Sequence, residues 1–188
     1  MTAQEIFRRI AEVLDQAGIP YMLTGSFASS YHGVPRATQD IDIVISATPD
    51  QLRSLVRLLP DSEYYVDLEA VLDAQRRQTQ FNLVDLATGW KVDLIIRKSR
   101  PFSSAEFDRR TAIDFQGLRL FIASAEDVIV SKLEWAKLGQ SERQIEDVSG
   151  ILRIRWGELD RAYIERWVRD LDLQSQWEAA CRTAGVAV

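Results

Sequence analysis

The chain has 188 residues, 46% of them hydrophobic and 27% charged, which is typical of one compact globular domain or of a domain with a helical extension. A net charge of −5 argues against attraction of the whole molecule to nucleic acid, so a polyanion would need a local basic patch. One cysteine and one histidine exclude an internal disulfide and the usual zinc clusters. The sequence shows neither a signal peptide nor an apolar run near the ~18 residues of a membrane span, so we expect a cytoplasmic protein without a membrane partner.

The first half of the sequence alternates helical and strand patterns. In chain order we predict a helix that begins with a capping box of Thr2 and Glu5 and ends at Gly18, a strand over 21–24, a short helix over 25–31, a strand over 40–45, a helix capped by Thr48, and a helix over 67–77.

Two hairpins follow, and the remainder is helical. Thr88 and Gly89 predict a two-residue turn between strands over 81–86 and 90–96, and Gln116-Gly117 joins strands over 111–115 and 118–122. Ser124 and Ser141 are predicted helix N-caps, with further helices over 160–184. We therefore predict an α/β (α+β) protein whose mixed sheet lies in residues 1–122, with a helical region, residues 123–188, packed on it.

Two carboxylates stand in the otherwise apolar strand "DIDIVI". Asp40 and Asp42 share one face of that strand, ~6.5 Å apart, and at an effective dielectric near 20 they repel by roughly 2–3 kcal/mol. A pair of divalent cations would reverse the repulsion, and oxygen-only ligands favour magnesium or manganese. The alternative is a solvated strand face without a metal.

The turn before these carboxylates has phosphate-binding character. Gly25 and Ser26 open the short helix, where glycine permits close approach of a ligand and the first amides lack helical partners. Gly-Ser is also a common start for an ordinary helix.

A third acid lies in "KVDLII". A two-residue turn pairs Val84 with Asp93 and places Asp93 on the face of Asn82 and Lys91, so we select Asp93 as the third carboxylate. Asp85 is the fallback, because a register slip of one residue would exchange the two acids.

This combination resembles the nucleotidyltransferase superfamily of the DNA polymerase β type. Three segments are similar to the small bacterial toxin nucleotidyltransferases of the AbiEii type: "GSFASSYHGVPRATQDIDIVI", "WKVDLII" and "SAEDVIVSKLEWAKLGQSERQIEDV". The resemblance implies a mixed β-sheet flanked by helices and a magnesium–nucleoside triphosphate substrate. It also implies transfer of a nucleotidyl group to a hydroxyl of RNA, commonly tRNA, and a partner antitoxin.

The resemblance also implies roles for individual residues. Gly25 and Ser26 would hold the triphosphate, and Asp40 and Asp42 would bind Mg²⁺ or Mn²⁺. Asp93 would complete the metal site and help to deprotonate the attacking hydroxyl.

Three further residues are open to two interpretations each. Lys132 is a phosphate clamp or a structural lysine, and Arg36 reaches a phosphate or braces its loop. Asp147 pairs with a base or with Lys132, or faces solvent, and we expect solvent. The basic run over 97–100 directly follows the Asp93 strand and could receive RNA or a triphosphate, although such runs are more often solvated loops.

The leading functional hypothesis is a metal-dependent nucleotidyltransferase that modifies an RNA or protein hydroxyl, as part of a toxin–antitoxin system. One alternative is a non-catalytic nucleotide-binding partner with the same fold. A second is a small-molecule nucleotidyltransferase of the aminoglycoside type.

Overall fold

The computed structural model describes residues 3–38 and 40–187, so the predicted capping box at Thr2 lies outside the described residues. In chain order the elements are α1 (Ala3–Gln16), β1 (Tyr21–Leu23), α2 (Gly25–His32), β2 (Asp40–Ile45), α3 (Pro49–Leu58), β3 (Tyr64–Tyr65), α4 (Leu68–Arg77), β4 (Gln80–Asp85), β5 (Lys91–Ile96), α5 (Pro101–Asp108), β6 (Thr111–Phe115), β7 (Leu118–Ile122), α6 (Ala125–Gly139), α7 (Glu142–Arg155), α8 (Arg161–Asp170) and α9 (Gln174–Ala184). Across the described part of the chain, no helix is long and apolar enough to cross a membrane.

The chain divides into two compact units. We call Met1–Leu23 with Gln39–Ile122 the sheet unit, and Thr24–Thr38 with Ala123–Val188 the helical unit. The helical unit takes in the α2 segment as well as the residues after Ile122.

The sheet unit is built on one mixed β-sheet. Within the described residues its seven strands run in the order β3-β4-β5-β2-β1-β7-β6. β2 pairs with β5 and β1 with β7 in parallel, whereas the other neighbouring strands are antiparallel. The predicted mixed α/β architecture is therefore confirmed.

Alternation along β2 decides which of its residues are buried in the sheet unit. Ile41, Ile43 and Ile45 are almost fully buried, as the two-residue period of a strand requires for one face. Asp40 and Asp42 consequently lie on the opposite face.

The register between β4 and β5 differs from the predicted one by two residues. Asn82, not Val84, pairs with Asp93, and Val84 pairs with Lys91. The connection is longer than two residues because the carboxylate of Asp85 accepts hydrogen bonds from loop amides, which extends the turn over 86–89. Since an even shift preserves side-chain orientation, Asp93 still shares a face with Asn82 and Lys91.

Two elements of the sheet unit escaped sequence-based prediction. β3 has only two residues, too few for a recognisable period. α5 begins with Pro101 in its first turn and buries Phe102 and Phe107, and that proline was the usable signal for a helix start.

The helical unit packs α2 against α6 and α7. At the end of α2, a Cβ atom on Gly33 would lie 2.7 Å from the amide nitrogen of Ile151 and 2.8 Å from the carbonyl carbon of Gly150. A side chain at position 33 would therefore collide with the backbone of α7. Much of the core of this unit comes from α6, α7 and α9, and it includes Val128, Leu133, Val148, Ile151, Leu152, Trp177 and Cys181.

Candidate functional site

The parallel pairing of β2 with β5 brings two carboxylates of the sheet unit together. Asp42 is the direct register partner of Asp93, and Asp40 is the partner of Lys91. Neighbouring strands lie about 4.8 Å apart, so Asp42 and Asp93 are close neighbours on one face. We call Asp40, Asp42, Asp93 and Lys91 the acid face. Asp93 is buried and Asp42 is half-buried, whereas Asp40 is exposed.

A lysine lies among these acids. Lys91 Nζ donates a hydrogen bond to Asp93 Oδ2 at 3.0 Å. This hydrogen bond raises the pKa of Lys91, and the negative charges of Asp93, Asp40 and Asp42 act in the same direction, while burial opposes them. Lys91 is therefore a cation held by the acid face.

The other oxygen of Asp93 is left without a donor. Oδ1 is buried and has no hydrogen-bond partner among the described residues. An unpaired buried carboxylate oxygen is costly, and a cation or a proton on that atom would relieve the cost. The oxygen-only donor set of the acid face has the chemistry that Mg²⁺ and Mn²⁺ prefer.

The ligands are not preassembled, however. In the described ranges, no three His, Cys, Asp or Glu side chains are grouped so that they could hold a metal ion. Repulsion between the carboxylates opposes their convergence without a cation, and Lys91 already holds one oxygen of Asp93. The acid face thus offers a divalent cation ligands of suitable chemistry, one oxygen of which Lys91 holds.

Asp85, the alternative third acid, has a different position. Its Oδ1 accepts hydrogen bonds from the amide of Ala87 at 3.1 Å and from the amide and hydroxyl of Thr88 at 2.9 and 2.8 Å. It is 2% exposed and, three residues from Asn82 along β4, lies on the face opposite Asp93. Asp85 stabilises the loop between β4 and β5.

In the helical unit, the first turn of α2 carries the glycine and serine singled out in the sequence. Gly25 has a φ of +61°, a left-handed conformation that favours glycine and disfavours any residue with a side chain. Ser26 Oγ accepts a hydrogen bond from Arg36 Nη2. The first amides of a helix lack helical partners and carry partial positive charge, so this turn suits an anion.

Arg36 and Lys132 share a single carboxylate in the helical unit. Arg36 binds Asp147 through two hydrogen bonds, Nε to Oδ1 at 2.7 Å and Nη2 to Oδ2 at 2.9 Å. Lys132 Nζ lies 2.7 Å from Asp147 Oδ2 and donates to Gln144 Oε1 at 2.9 Å. We call Arg36, Lys132 and Asp147 the basic cluster, because it contains two cationic side chains and one carboxylate.

The structure corrects the expectation that Asp147 faces solvent. Its side chain is only 7% exposed, and that of Lys132 only 5%. Burial favours a higher pKa for the Asp147 carboxyl, but hydrogen bonds and charges from Arg36 and Lys132 outweigh burial and lower that pKa. Arg36 thus connects its loop to α7 through the Asp147 carboxylate.

The basic run over 97–100 lies away from the acid face. It follows the last residue of β5, and the amide of Arg97 donates to the carbonyl of Ile45, the last residue of β2. Asp40 and Lys91 begin those same two strands. Arg97 and Arg100 donate hydrogen bonds to Ser104 and Ser103 of α5. The run belongs to the start of α5 rather than to the surroundings of the acids.

Sequence reasoning missed the contact between Lys91 and Asp93 and the role of Asp147 in the basic cluster. The contact between Lys91 and Asp93 could have been found from the sequence, because residues two apart in a strand share a face. The role of Asp147 could not have been found from neighbouring residues, since Arg36 and Asp147 are separated by 111 positions.

Comparisons with known proteins agree with this architecture. The model of a protein family described as "Nucleotidyltransferase of unknown function (DUF6036)" matches residues 3–181. No curated protein matches the chain.

Solved structures share the fold at low sequence identity. A nucleotidyltransferase-like protein from Paracoccidioides brasiliensis superposes with a TM-score of 0.54 at 19% identity, over 90% of this chain and 89% of that one. The lincosamide antibiotic adenylyltransferase LnuA, bound to lincomycin, superposes with a TM-score of 0.53 at 15% identity, over 82% of this chain and 98% of that one. ANT(2")-Ia in complex with adenylyl-2"-tobramycin superposes with a TM-score of 0.51 at 15% identity, over 93% of this chain and 99% of that one. These similarities confirm the predicted nucleotidyltransferase fold.

Proposed function

Because the chain belongs to this family of nucleotidyltransferases, we propose that it is a metal-dependent enzyme. It transfers a nucleoside monophosphate from a nucleoside triphosphate to a hydroxyl of RNA, for example tRNA, or of a protein. The observation that supports the proposal most is the pairing of Asp42 with Asp93, whose buried Oδ1 has no hydrogen-bond partner in the described part of the chain. A protein that only binds nucleotide has no need for carboxylates that repel each other by about 3 kcal/mol at ~5 Å.

The acid face supplies the metal ligands in this proposal. Asp40, Asp42 and Asp93 offer carboxylate oxygens to Mg²⁺ or Mn²⁺. A divalent cation bound there would neutralise phosphate charge and lower the pKa of the acceptor hydroxyl. Asp93, the most buried of the three acids, is also the group to which we assign removal of the hydroxyl proton.

We assign the triphosphate to residues of the helical unit. Gly25 allows close approach to the first amides of α2, and Ser26 adds a hydroxyl. Arg36 and Lys132 contribute the positive charges of the basic cluster. Asp147 holds both cations in place, which lowers the entropic cost of positioning them.

The reaction balances as an in-line displacement at phosphorus. The hydroxyl oxygen of the acceptor bonds to the α-phosphorus, and its proton passes to a carboxylate of the acid face. The bond between the α-phosphorus and the bridging oxygen to the β-phosphate breaks. Pyrophosphate leaves with that electron pair, so the reaction requires no oxidant or reductant.

The acceptor is assigned from the resemblance to AbiEii-type toxins, and with it we propose a toxin role restrained by a partner antitoxin. The net charge of −5 means that an RNA acceptor must be recognised locally rather than by the overall charge of the protein.

The test is transfer of label from α-³²P nucleoside triphosphates, in Mg²⁺ or Mn²⁺, to pools of bacterial RNA, bacterial protein and aminoglycosides. Wild type should label RNA, or failing that protein. Asp42→Asn and Asp93→Asn should each fall to background, and the double variant should lose no more, because ligands of a shared site act as a unit. Asp61→Asn, a change at an exposed loop carboxylate, is the matched control and should retain full activity.

Each other outcome has a distinct meaning. Triphosphate binding without any labelled acceptor would favour the non-catalytic nucleotide-binding protein. Label confined to aminoglycosides would favour the small-molecule enzyme. Full activity in Asp93→Asn would show that Asp93 is not part of the catalytic site.

A further inference from the structure

Lys91 is the remaining charged residue of the acid face. Its ammonium donates to Asp93 Oδ2 at 3.0 Å, and its register partner on β2 is Asp40. The Lys91 side chain is 40% exposed while that of Asp93 is 11% exposed. The lysine therefore reaches from a partly solvated position to a largely buried carboxylate.

This contact has a consequence for any divalent cation at the same carboxylate. A cation that uses Asp93 Oδ2 must displace the ammonium, and a cation at Oδ1 alone would lie only a few ångströms from a positive charge. Both arrangements weaken binding of the bare ion, since like charges at such distances repel strongly even at an effective dielectric of 20. A lysine side chain is flexible and can leave when another anion becomes available to it.

We infer that Lys91 is a resident counter-ion that competes with the divalent cation for Asp93, so that bare metal binds weakly and metal enters together with a triphosphate. The inference rests on the proposed function, because it takes the acid face as the metal site. Without ligand, Lys91 offsets the repulsion between Asp42 and Asp93. When metal and triphosphate arrive together, phosphate oxygens provide the ammonium with a new partner, and Asp93 becomes free to bind the metal.

The test is Mn²⁺ binding, measured by electron paramagnetic resonance of the free ion, with and without a non-hydrolysable triphosphate. Without triphosphate, Lys91→Met should bind Mn²⁺ at least about tenfold more tightly than wild type, because a positive charge has been removed beside the ligand. Lys91→Gln retains a donor to Asp93 without the charge and should also bind more tightly. Lys98→Met, at an exposed lysine beyond the other end of β5, should behave as wild type.

The triphosphate analogue separates competition from a general charge effect. It should increase Mn²⁺ affinity more in wild type than in Lys91→Met, because only wild type has an ammonium to relocate. In the double variant of Lys91→Met with Asp93→Asn, the gain in affinity should disappear.

Thermal denaturation provides a second readout that does not depend on activity. Lys91→Met should melt at a lower temperature than wild type in the absence of metal, because Asp93 loses its counter-ion. Added Mn²⁺ should raise the melting temperature of the variant more than that of wild type.

The remaining outcomes would overturn the inference. If wild type binds Mn²⁺ and both Lys91 variants bind it equally well, competition is absent, while the proposed metal site stands. If the tighter binding survives Asp93→Asn, the metal is elsewhere. If no variant binds Mn²⁺ with or without triphosphate, the proposed function fails together with the inference.

Discussion

At the scale of single residues, local sequence describes which face a residue occupies better than it describes the partners of that residue. Asp42 and Asp93 could be assigned to a common face because strand period and apolar neighbours are local properties. Asp147 could not be assigned, because its environment depends on Arg36, 111 positions earlier. A lone carboxylate on a helix faces solvent in most proteins, so an expectation based on residue type alone was wrong here.

His32 shows the same limit and leads to a prediction. Its Nε2 lies 2.7 Å from the carbonyl oxygen of Ala123, so Nε2 carries the proton, and Nδ1 is buried without a partner within the described part of the chain. Burial lowers the pKa of His32, and the positive charge of Arg155 acts in the same direction, against the hydrogen bond to Ala123. Protonation of Nδ1 would bury a positive charge and add an N–H group that has no acceptor within the described part of the chain.

We therefore expect the free energy of unfolding to fall as the pH falls below the ordinary histidine pKa of ~6.5. Below that pKa, His32 is protonated in the unfolded chain but stays neutral in the folded chain. Acid therefore lowers the free energy of unfolding by at most about 1.4 kcal/mol per pH unit. His32→Gln, which keeps a donor for the Ala123 carbonyl, should lose this part of the pH dependence. Urea unfolding at several pH values measures both proteins, and parallel pH profiles would contradict the assignment.

At the scale of elements, most helices and strands could be predicted, and so could the two-residue turn between β6 and β7, but the length of the β4–β5 connection could not. The strands of the acid face were recognisable because isoleucine and valine alternate with polar residues. The β4–β5 register was wrong by two residues, since the loop amides bound by Asp85 lengthen the turn, and the face of Asp93 was unaffected because the shift is even. The face assigned to a candidate side chain thus stays correct when the predicted register is wrong by an even number of residues.

The packing of α2 on α7 in the helical unit depends on Gly33. The φ of Gly33 is −132°, outside the left-handed region, and the close approach of α7 leaves no space for a side chain. We expect Gly33→Ala to lower the free energy of unfolding by about 2 kcal/mol or more, because the new Cβ would lie 2.7 Å from a backbone nitrogen that cannot move independently of its helix. Gly157→Ala is the matched control, since nothing lies within 4 Å of a Cβ there, and it should change stability by less than about 0.5 kcal/mol. Equal stability of the two variants by urea denaturation would show that α2 can shift on α7 without cost.

At the scale of the whole molecule, the chain passes between the two units three times. The α2 segment, Thr24–Thr38, leaves the sheet unit after β1 and returns before β2, and the last crossing follows β7. The expected division into residues 1–122 and 123–188 uses only the last crossing. A composition-based boundary could not reveal the first two, because the short α2 segment has no linker composition on either side.

A fragment of residues 1–122 should therefore contain a segment that lacks its packing partners. Residues 24–38 would lose α6 and α7, and Arg36 would lose the bidentate contact with Asp147. We expect trypsin to cleave the fragment after Arg36 at least about tenfold faster than it cleaves the full chain, because proteolysis follows the population of the locally open state.

Arg57, on α3 within the sheet unit, is the internal control, and cleavage there should be equally slow in both proteins. Co-expression of residues 123–188 should restore protection at Arg36, since it returns both helices and Asp147. Equal protection of Arg36 in the isolated fragment would mean that the α2 segment folds with the sheet unit and that the simple division at residue 122 describes two independent domains.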